Sequence, residues 1–200
     1  MLLKREYPDA RCMLDHRDAY ELLTATILAA QCTDARVNEV TPVLFKRYPT
    51  SKALAKVKPE TLEELIRPTG FFRQKTRSLL SCAKDIVEKF AGEVPGTMEE
   101  LTSLRGVGRK TANVVLGECF GAPGIVVDTH LKRVTNRIGL TAQSDADKIE
   151  FELNDLIARK DRTLFSHVIT FHGRAVCAAR KPRCGECVIR ELCDYGQAYS

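Results

Sequence analysis

Three groups of residues have types and spacings that could do chemistry. The most concentrated is Cys177-x6-Cys184-x2-Cys187-x5-Cys193, four cysteines within 17 residues near the C-terminal end. Four thiolates so spaced can close around one tetrahedral metal or one cubane cluster. The Cys-x2-Cys step brings two sulfurs together in a tight turn at Gly185. Spacing alone leaves zinc and iron–sulfur both open. The other four cysteines, Cys12, Cys32, Cys82 and Cys119, are scattered among apolar or helical neighbours. A disulfide scaffold would spread its cysteines through a shorter chain, so the C-terminal four read as a metal site in a reducing compartment. Between the first two of them, Ala178 to Arg183 carries Arg180, Lys181 and Arg183 and no acid. Fixed at both ends by ligands, that loop would make a small rigid basic knuckle for phosphates; a plain solvated loop would need no such anchoring.

The second group is Leu104-Arg105-Gly106-Val107-Gly108-Arg109-Lys110-Thr111-Ala112, lying between two expected helices. Gly106 and Gly108 permit a tight hairpin and close backbone approach to a ligand. The amides and positive dipole end of the following helix suit a phosphate. The spacing resembles a helix-hairpin-helix element, which grips a DNA backbone without reading its sequence, although an ordinary helix–helix turn could use the same glycines. Lys110 falls in the first turn of the new helix, where the dipole and Arg109 would be expected to disfavour its charged form. A lysine so placed could attack an electrophilic carbon as a free amine; most lysines in the chain must be solvated surface residues.

The third group is Val126-Val127-Asp128-Thr129-His130, an apolar run ending in an acid at an expected helix N-cap. Asp128 could be a simple cap. As an anion opposite Lys110 it could also stabilise a positively charged sugar-like intermediate or assist proton transfer. His130 reads either as a helper near phosphate or as a satisfied polar residue on a helix face.

The elements that must hold these groups are helical. Asp18 and Glu21, Thr61 and Glu64, and Thr97 and Glu100 each give a capping-box signature. Leu22, Leu23, Ile27 and Ala30 line one face of the first of these helices. An amphipathic helix is expected over Phe71 to Phe90, with Leu79, Leu80, Ile86 and Val87 inward. A short helix runs through Leu101 and Leu104. Others are expected over Lys110 to Cys119, Asp128 to Ile138, Ser144 to Ala158 and Arg162 to Cys177. Gly124 to Val127 is the one strand-like run. Chain punctuation falls at Gly92 to Gly96 and at Gly121-Ala122-Pro123-Gly124, the better hinge between two lobes. The fold class is all-α.

Composition fits this. The chain has 200 residues, 44% hydrophobic and 28% charged, enough to bury a core and too apolar for wholesale disorder. The net charge of +5 is a mild lean toward polyanions. The longest apolar run, around Thr24 to Ala30, is far short of a membrane span. The N-terminal residues lack a signal-peptide apolar stretch, so a cytoplasmic protein is expected, nucleoid-associated in a prokaryote.

Taken in this order, Gln31-Cys32-Thr33-Asp34, Leu104 to Ala112, Val127-Asp128-Thr129-His130, Phe171-His172-Gly173-Arg174 and the cysteine array resemble the endonuclease III family of DNA repair glycosylases. The likeness runs from about Tyr20 through Cys193. It implies a two-lobed helix-hairpin-helix glycosylase fold with a DNA cleft between the lobes. Residues 12–122 would form a six-helix domain, and residues 1–11 with 123–200 an iron–sulfur cluster domain. Cys177, Cys184, Cys187 and Cys193 match the family's ligands to a [4Fe-4S] cluster whose role is structural. Lys110 falls on the catalytic lysine and Asp128 on the catalytic aspartate. Gln31 matches a residue that fills the gap left in the duplex. Arg105, Gly106, Val107, Gly108, Arg109, His130, Arg180, Lys181 and Arg183 are the further DNA-binding candidates. The implied activity is that of a monomeric bifunctional glycosylase. It removes oxidised pyrimidines from double-stranded DNA and cleaves the strand at the abasic site by β-elimination through a lysine Schiff base, with no membrane partner.

The chain departs from the family pattern in places. The hairpin usually reads Leu-Pro-Gly, and here Arg105 replaces the proline. Cys32 stands where alanine is common. Phe71-Phe72 occupies a loop that often presents a smaller apolar wedge. Three rivals remain. An adenine-mismatch glycosylase usually lacks the hairpin lysine and carries an extra C-terminal domain, whereas this chain has Lys110 and ends at Ser200, seven residues after the last cysteine. A non-catalytic DNA-binding module would fail to trap Lys110 covalently on DNA. An iron–sulfur electron carrier would leave the hairpin and Asp128 idle.

Overall fold

The computed structural model describes residues 2–198, among which every regular element is helical. The helices are α1 (Leu2–Glu6), α2 (Ala19–Leu28), α3 (Asp34–Arg47), α4 (Ser51–Leu54), α5 (Pro59–Ile66), α6 (Phe72–Lys89), α7 (Met98–Ser103), α8 (Arg109–Cys119), α9 (Thr129–Ile138), α10 (Ala146–Leu156), α11 (Arg162–Ala175) and α12 (Asp194–Ala198). They form two compact units. One is Met13–Gly121; the other joins the residues up to Cys12 to those from Ala122 onward.

In the Met13–Gly121 unit, α6 packs on α4 and α5, while α2 packs on α3, α6 and α8. Fully buried Leu22, Leu23, Leu28, Leu44, Leu62, Leu79 and Ile86 fill the interior. The apolar face expected of α2 holds for Leu22, Leu23 and Ile27, but Ala30 lies beyond the helix and is exposed. On α6, Leu79 and Ile86 are buried, while Leu80 and Val87 are only partly so. In the other unit, α9 packs against α11, and Leu131, Val134, Ile149, Leu153, Phe165 and Ile169 share a core with Leu3 and Ala10 of the N-terminal segment.

Local signals decide most helix starts. Asp18, Thr33, Thr50, Thr97, Asp128 and Asp145 each accept an amide hydrogen of the first turn they cap. Two capping boxes are modified. Glu21 accepts from the Arg17 amide, one residue before the cap, at 2.8 Å. Glu100 takes its hydrogen bond from the Thr97 hydroxyl at 2.7 Å. The Thr61–Glu64 box does not form. Thr61 sits inside α5, which starts at Pro59 because proline presets the first helical residue and needs no donor there. Gly124 to Val127 forms no strand; the Val126 amide donates instead to Ser166 Oγ at 2.9 Å. Three further boundaries differ from expectation. The helix through Leu101 ends at Ser103, leaving Leu104 as its cap; α10 is shorter at both ends; and α11 stops at Ala175. There the amides of Val176 and Cys177 both turn onto the His172 carbonyl at 2.9 Å, winding the chain off the helix before the first cysteine.

Candidate active site and metal centre

The hairpin joins α7 to α8. The Val107 amide donates to the Leu104 carbonyl at 3.2 Å, and Gly106 between them has φ +83°. That is a type II turn with Arg105 at its second position and glycine at its third. Leu104 and Val107 are buried, which pins the turn to the unit and leaves Arg105, Gly106, Gly108 and Lys110 at the surface. A methyl on Gly106 would lie 2.9 Å from Ser78 Cβ on α6, so this glycine is demanded by both its dihedral and its neighbour. Gly108 caps α8 without a side chain, in extended backbone (φ −101°, ψ 176°), and a methyl there would meet nothing within 4 Å. Lys110 is therefore presented in the first turn of a helix whose N-terminus has no side-chain cap.

Two more strained turns lie near the hairpin, around the start of α6. Gln31, just after α2, is exposed with φ +53°. Gly70 and Phe71 are successive residues with positive φ, and Phe71 is 65% exposed. Lys75 holds that second turn. Its buried Nζ donates to the Thr69 carbonyl at 2.6 Å, and its amide donates to the Phe71 carbonyl at 3.0 Å. Burial lowers the Lys75 pKa, and Cys32 beside it opposes the shift. Ser78 underlies Gly106 on the same helix, so the first half of α6 supports both the Gly70–Phe71 turn and the hairpin. Lys75 and Ser78 were invisible as site residues from sequence. Only the Gly70 before an aromatic pair hinted at a built turn.

In the other unit, Asp128 caps α9, its Oδ1 accepting from the Leu131 amide at 2.7 Å. The cap uses only one carboxylate oxygen. His130 Nδ1 lies 3.1 Å from Arg133 Nη2, so it accepts there and its proton sits on Nε2. Arg133 also donates to the Cys177 carbonyl at 3.0 Å and the Gly173 carbonyl at 2.9 Å. One turn on, Arg137 donates to the carbonyls of Ala178 at 2.7 Å and Ala179 at 2.9 Å, and stacks over the Tyr195 ring. The helix that starts at Asp128 thus clamps the first half of the basic loop. Sequence reading missed these arginines, although their i, i+4 spacing is visible. Within the loop, Arg180 and Lys181 are exposed, and Lys181 has φ +51°. Arg183 instead pairs with Glu186 at 3.1 Å and donates to the Ala175 carbonyl.

The four C-terminal cysteines line a single cavity, walled mainly by apolar side chains including Val134, Ile138 and Ile189. Among the described residues, no three His, Cys, Asp or Glu side chains are grouped closely enough to hold one metal ion. A tetrahedral zinc needs every sulfur about 2.3 Å from one point. Four sulfurs that line one cavity without converging on one point fit the wider body of a cluster. Donors point at them: Arg137 Nη1 to Cys177 at 3.3 Å, and the Gly196 amide to Cys193 at 3.3 Å. Burial and mutual repulsion push the Cys184 and Cys187 thiols up. Such a set of thiolates requires a cationic centre to hold it ionised. The donor set and cavity fit an iron–sulfur cluster.

Comparison with known proteins agrees with this geometry. Residues 24–159 match the HhH-GPD superfamily of base excision DNA repair proteins. Residues 177–193 match the iron–sulfur binding domain of endonuclease III. Endonuclease III of Synechocystis sp. is 54% identical over 199 residues, spanning 99% of this chain and 91% of that protein. The chain belongs to the endonuclease III family. Endonuclease III of Bacillus subtilis is 42% identical, over 96% of this chain and 88% of its own. A solved non-covalent endonuclease III–DNA complex and a trapped endonuclease III–DNA covalent intermediate each superpose with TM-score 0.93 at 42% identity, covering 98% of this chain and 92% of theirs. As a member of this family the protein is a base excision repair enzyme, a DNA glycosylase with lyase activity at abasic sites. It carries a [4Fe-4S] cluster and acts on DNA. Among the described residues, no helix is long and apolar enough to cross a membrane.

Proposed function

We propose that Lys110 is the nucleophile of this enzyme and Asp128 its electrostatic partner, acting on oxidised pyrimidines turned out of duplex DNA. Flipping costs a few kcal/mol, and less at a damaged or mispaired site. Lys110 Nζ attacks C1′ of the flipped nucleotide, the C1′–N bond breaks, and the base leaves with the electron pair. Asp128 stabilises the positive charge that develops on the sugar. The amine adduct loses a proton and opens to a Schiff base, which acidifies the C2′ hydrogen. Its removal breaks the C3′–O bond, so the 3′ phosphate departs by β-elimination. Water then hydrolyses the Schiff base and frees Lys110.

The observation that carries this reading is an exposed lysine in the first turn of a helix entered through a backbone turn shaped by Gly106. Arg105, Gly106, Val107, Gly108 and Arg109 form the phosphate grip around it, and Gln31 and Phe71 enter the space vacated in the duplex. Arg180, Lys181 and His130 add phosphate contacts from the other unit, with Arg183 contributing what its pairing with Glu186 leaves free. Cys177, Cys184, Cys187 and Cys193 hold the cluster, which supplies a rigid centre for the basic loop rather than bond cleavage. We take the helix-hairpin-helix domain as residues 12–122, where the structure has seven helices, α2 to α8, instead of the six expected, and the cluster domain as the rest. The enzyme works as a monomer in the cytoplasm, on the nucleoid, in keeping with its bacterial relatives.

The test is borohydride trapping on duplexes bearing one abasic site or one thymine glycol. A covalent adduct that vanishes in Lys110→Ala is the expected result. Trapping that persists in Lys110→Ala, or binding without trapping in the parent, overturns the assignment.

A further inference from the structure

The N-terminal segment and the cysteine array meet at one buried imidazole. Tyr7 Oη lies 3.0 Å from His172 Nδ1, and His172 Nε2 lies 3.6 Å from Cys187 Sγ. His172 is 2% exposed. Its ring meets the Tyr7 ring edge to face, with centroids 5.8 Å apart. Tyr7 itself is held in place: its amide donates to the Leu3 carbonyl at 3.0 Å, its carbonyl accepts from Ala10 at 3.2 Å, and its ring rests on Phe171. Leu3 and Ala10, on either side of it, are core residues.

The directions of these hydrogen bonds follow from the chemistry of the sulfur. A cysteine ligated to iron has no S–H and can only accept. His172 Nε2 must then carry the hydrogen and donate to Cys187 Sγ. In a neutral imidazole, Nδ1 is then a bare acceptor, and the only direction left for the Tyr7 hydroxyl is to donate to it. Without that donor the imidazole can take the other tautomer, which turns a lone pair on Nε2 toward the anionic sulfur. Hydrogen bonds to ligand sulfurs stabilise the more reduced, more negative cluster and so raise its potential.

We propose that Tyr7 is a positioning residue for the cluster: it fixes the His172 tautomer that donates to Cys187, thereby setting the cluster's potential and its resistance to oxidative loss. The inference rests on Cys187 being a ligand. It assigns the N-terminal segment a task beyond packing, since its tyrosine closes a three-residue relay onto the metal centre. Neither catalysis nor DNA contact requires Tyr7, so the two roles separate experimentally.

The experiment uses the cluster-loaded full chain and Tyr7→Phe, which keeps the ring and deletes one hydroxyl. Three readouts are taken without DNA: midpoint potential by protein-film voltammetry, half-life of the cluster absorbance under ferricyanide, and pulsed EPR of the reduced cluster with ¹⁵N-labelled histidine. Loss of an outer hydrogen bond at a metal site costs about 10- to 100-fold in metal retention. Tyr7→Phe, one bond further out, should shorten the cluster half-life about tenfold, lower the potential and change the ¹⁵N coupling. Shortened half-life with unchanged potential and coupling would mean that Tyr7 only packs, and overturns the proposal. Parental values in all three readouts overturn it as well. Cys187→Ser separates the underlying reading: full loading of an unaltered cluster in that variant would remove Cys187 from the ligand set and the relay with it.

Discussion

Replacing Gly108 by alanine tests the proposed phosphate grip at a position that the protein's own packing leaves open. Its backbone is extended, so any residue can adopt it, and the added methyl would meet no atom of the protein within 4 Å. Two small terms oppose each other in the free enzyme. Alanine is a poorer helix N-cap than glycine by up to about 1 kcal/mol. It also restricts the unfolded chain, which stabilises by about 0.4–1 kcal/mol. The net change should lie within about 0.5 kcal/mol, a shift in Tm of roughly 2 °C or less for a chain of this size. In the complex, the same methyl stands where a phosphate would approach the first amides of α8. Losing one backbone hydrogen bond to a charged group costs about 1.5–3 kcal/mol, or roughly 10- to 150-fold in Kd. Because no cation is removed, the salt dependence of binding should keep its slope, whereas Arg109→Ala should reduce that slope by about 0.9. Fluorescence anisotropy on a duplex with a stable abasic-site analogue, repeated across salt concentrations and paired with thermal melts, measures all of this. Parental affinity in Gly108→Ala at unchanged Tm would refute the idea that a phosphate sits over this backbone.

Gly106→Ala should behave in the opposite way: the left-handed φ costs about 1–2 kcal/mol and the approach to Ser78 about 1–3 kcal/mol more, so chemical denaturation should register a loss of roughly 2–5 kcal/mol, eased by Ser78→Gly in the double variant. Cys82 is 3% exposed and burial pushes its thiol up to about 12; mass spectrometry after alkylation of the native protein should find it unlabelled. By the same linkage the unfolded thiol ionises first as pH rises, so stability should fall from about pH 9 toward pH 12, with a shallower fall in Cys82→Ala. Asp128→Asn keeps a side-chain oxygen for the Leu131 amide, so Tm should hold while single-turnover base removal falls by at least about 100-fold; an unchanged rate would reduce Asp128 to a cap.

The sequence made the chemistry more legible than its support. Short-range rules located the hairpin, because a type II turn demands glycine at Gly106, and located Asp128, because an acid ahead of a helical run caps it. They located the cysteines by count and spacing. They misplaced Thr61 because a capping box two residues inside Pro59 looks the same as one that starts a helix, and proline wins that contest. What holds the groups in place is long-range and left no local signature. Ser78 lies 28 positions before Gly106, and Tyr7 lies 165 positions before His172. Arg133 and Arg137 read as ordinary surface charges until α9 is seen against the loop that follows α11.

Arg105 shows how the two levels combine. At the second position of a type II turn, proline presets φ and lowers the entropy lost on folding, by about 0.4–1 kcal/mol relative to other residues. Arginine forgoes that, and the turn must be held by other means: Leu104 and Val107 buried on either side, and Gly106 seated on Ser78. On the proposed reading, the exchange places a permanent charge next to the backbone that would approach phosphate, which would add about one neutralised phosphate to the complex and steepen its salt dependence by about 0.9. Arg105→Pro should therefore raise Tm by roughly 1–4 °C while weakening DNA binding at low salt, the two effects moving in opposite directions. A variant that gained stability and bound DNA as tightly as the parent across all salt concentrations would show that Arg105 points away from the phosphates and that the turn alone positions Lys110.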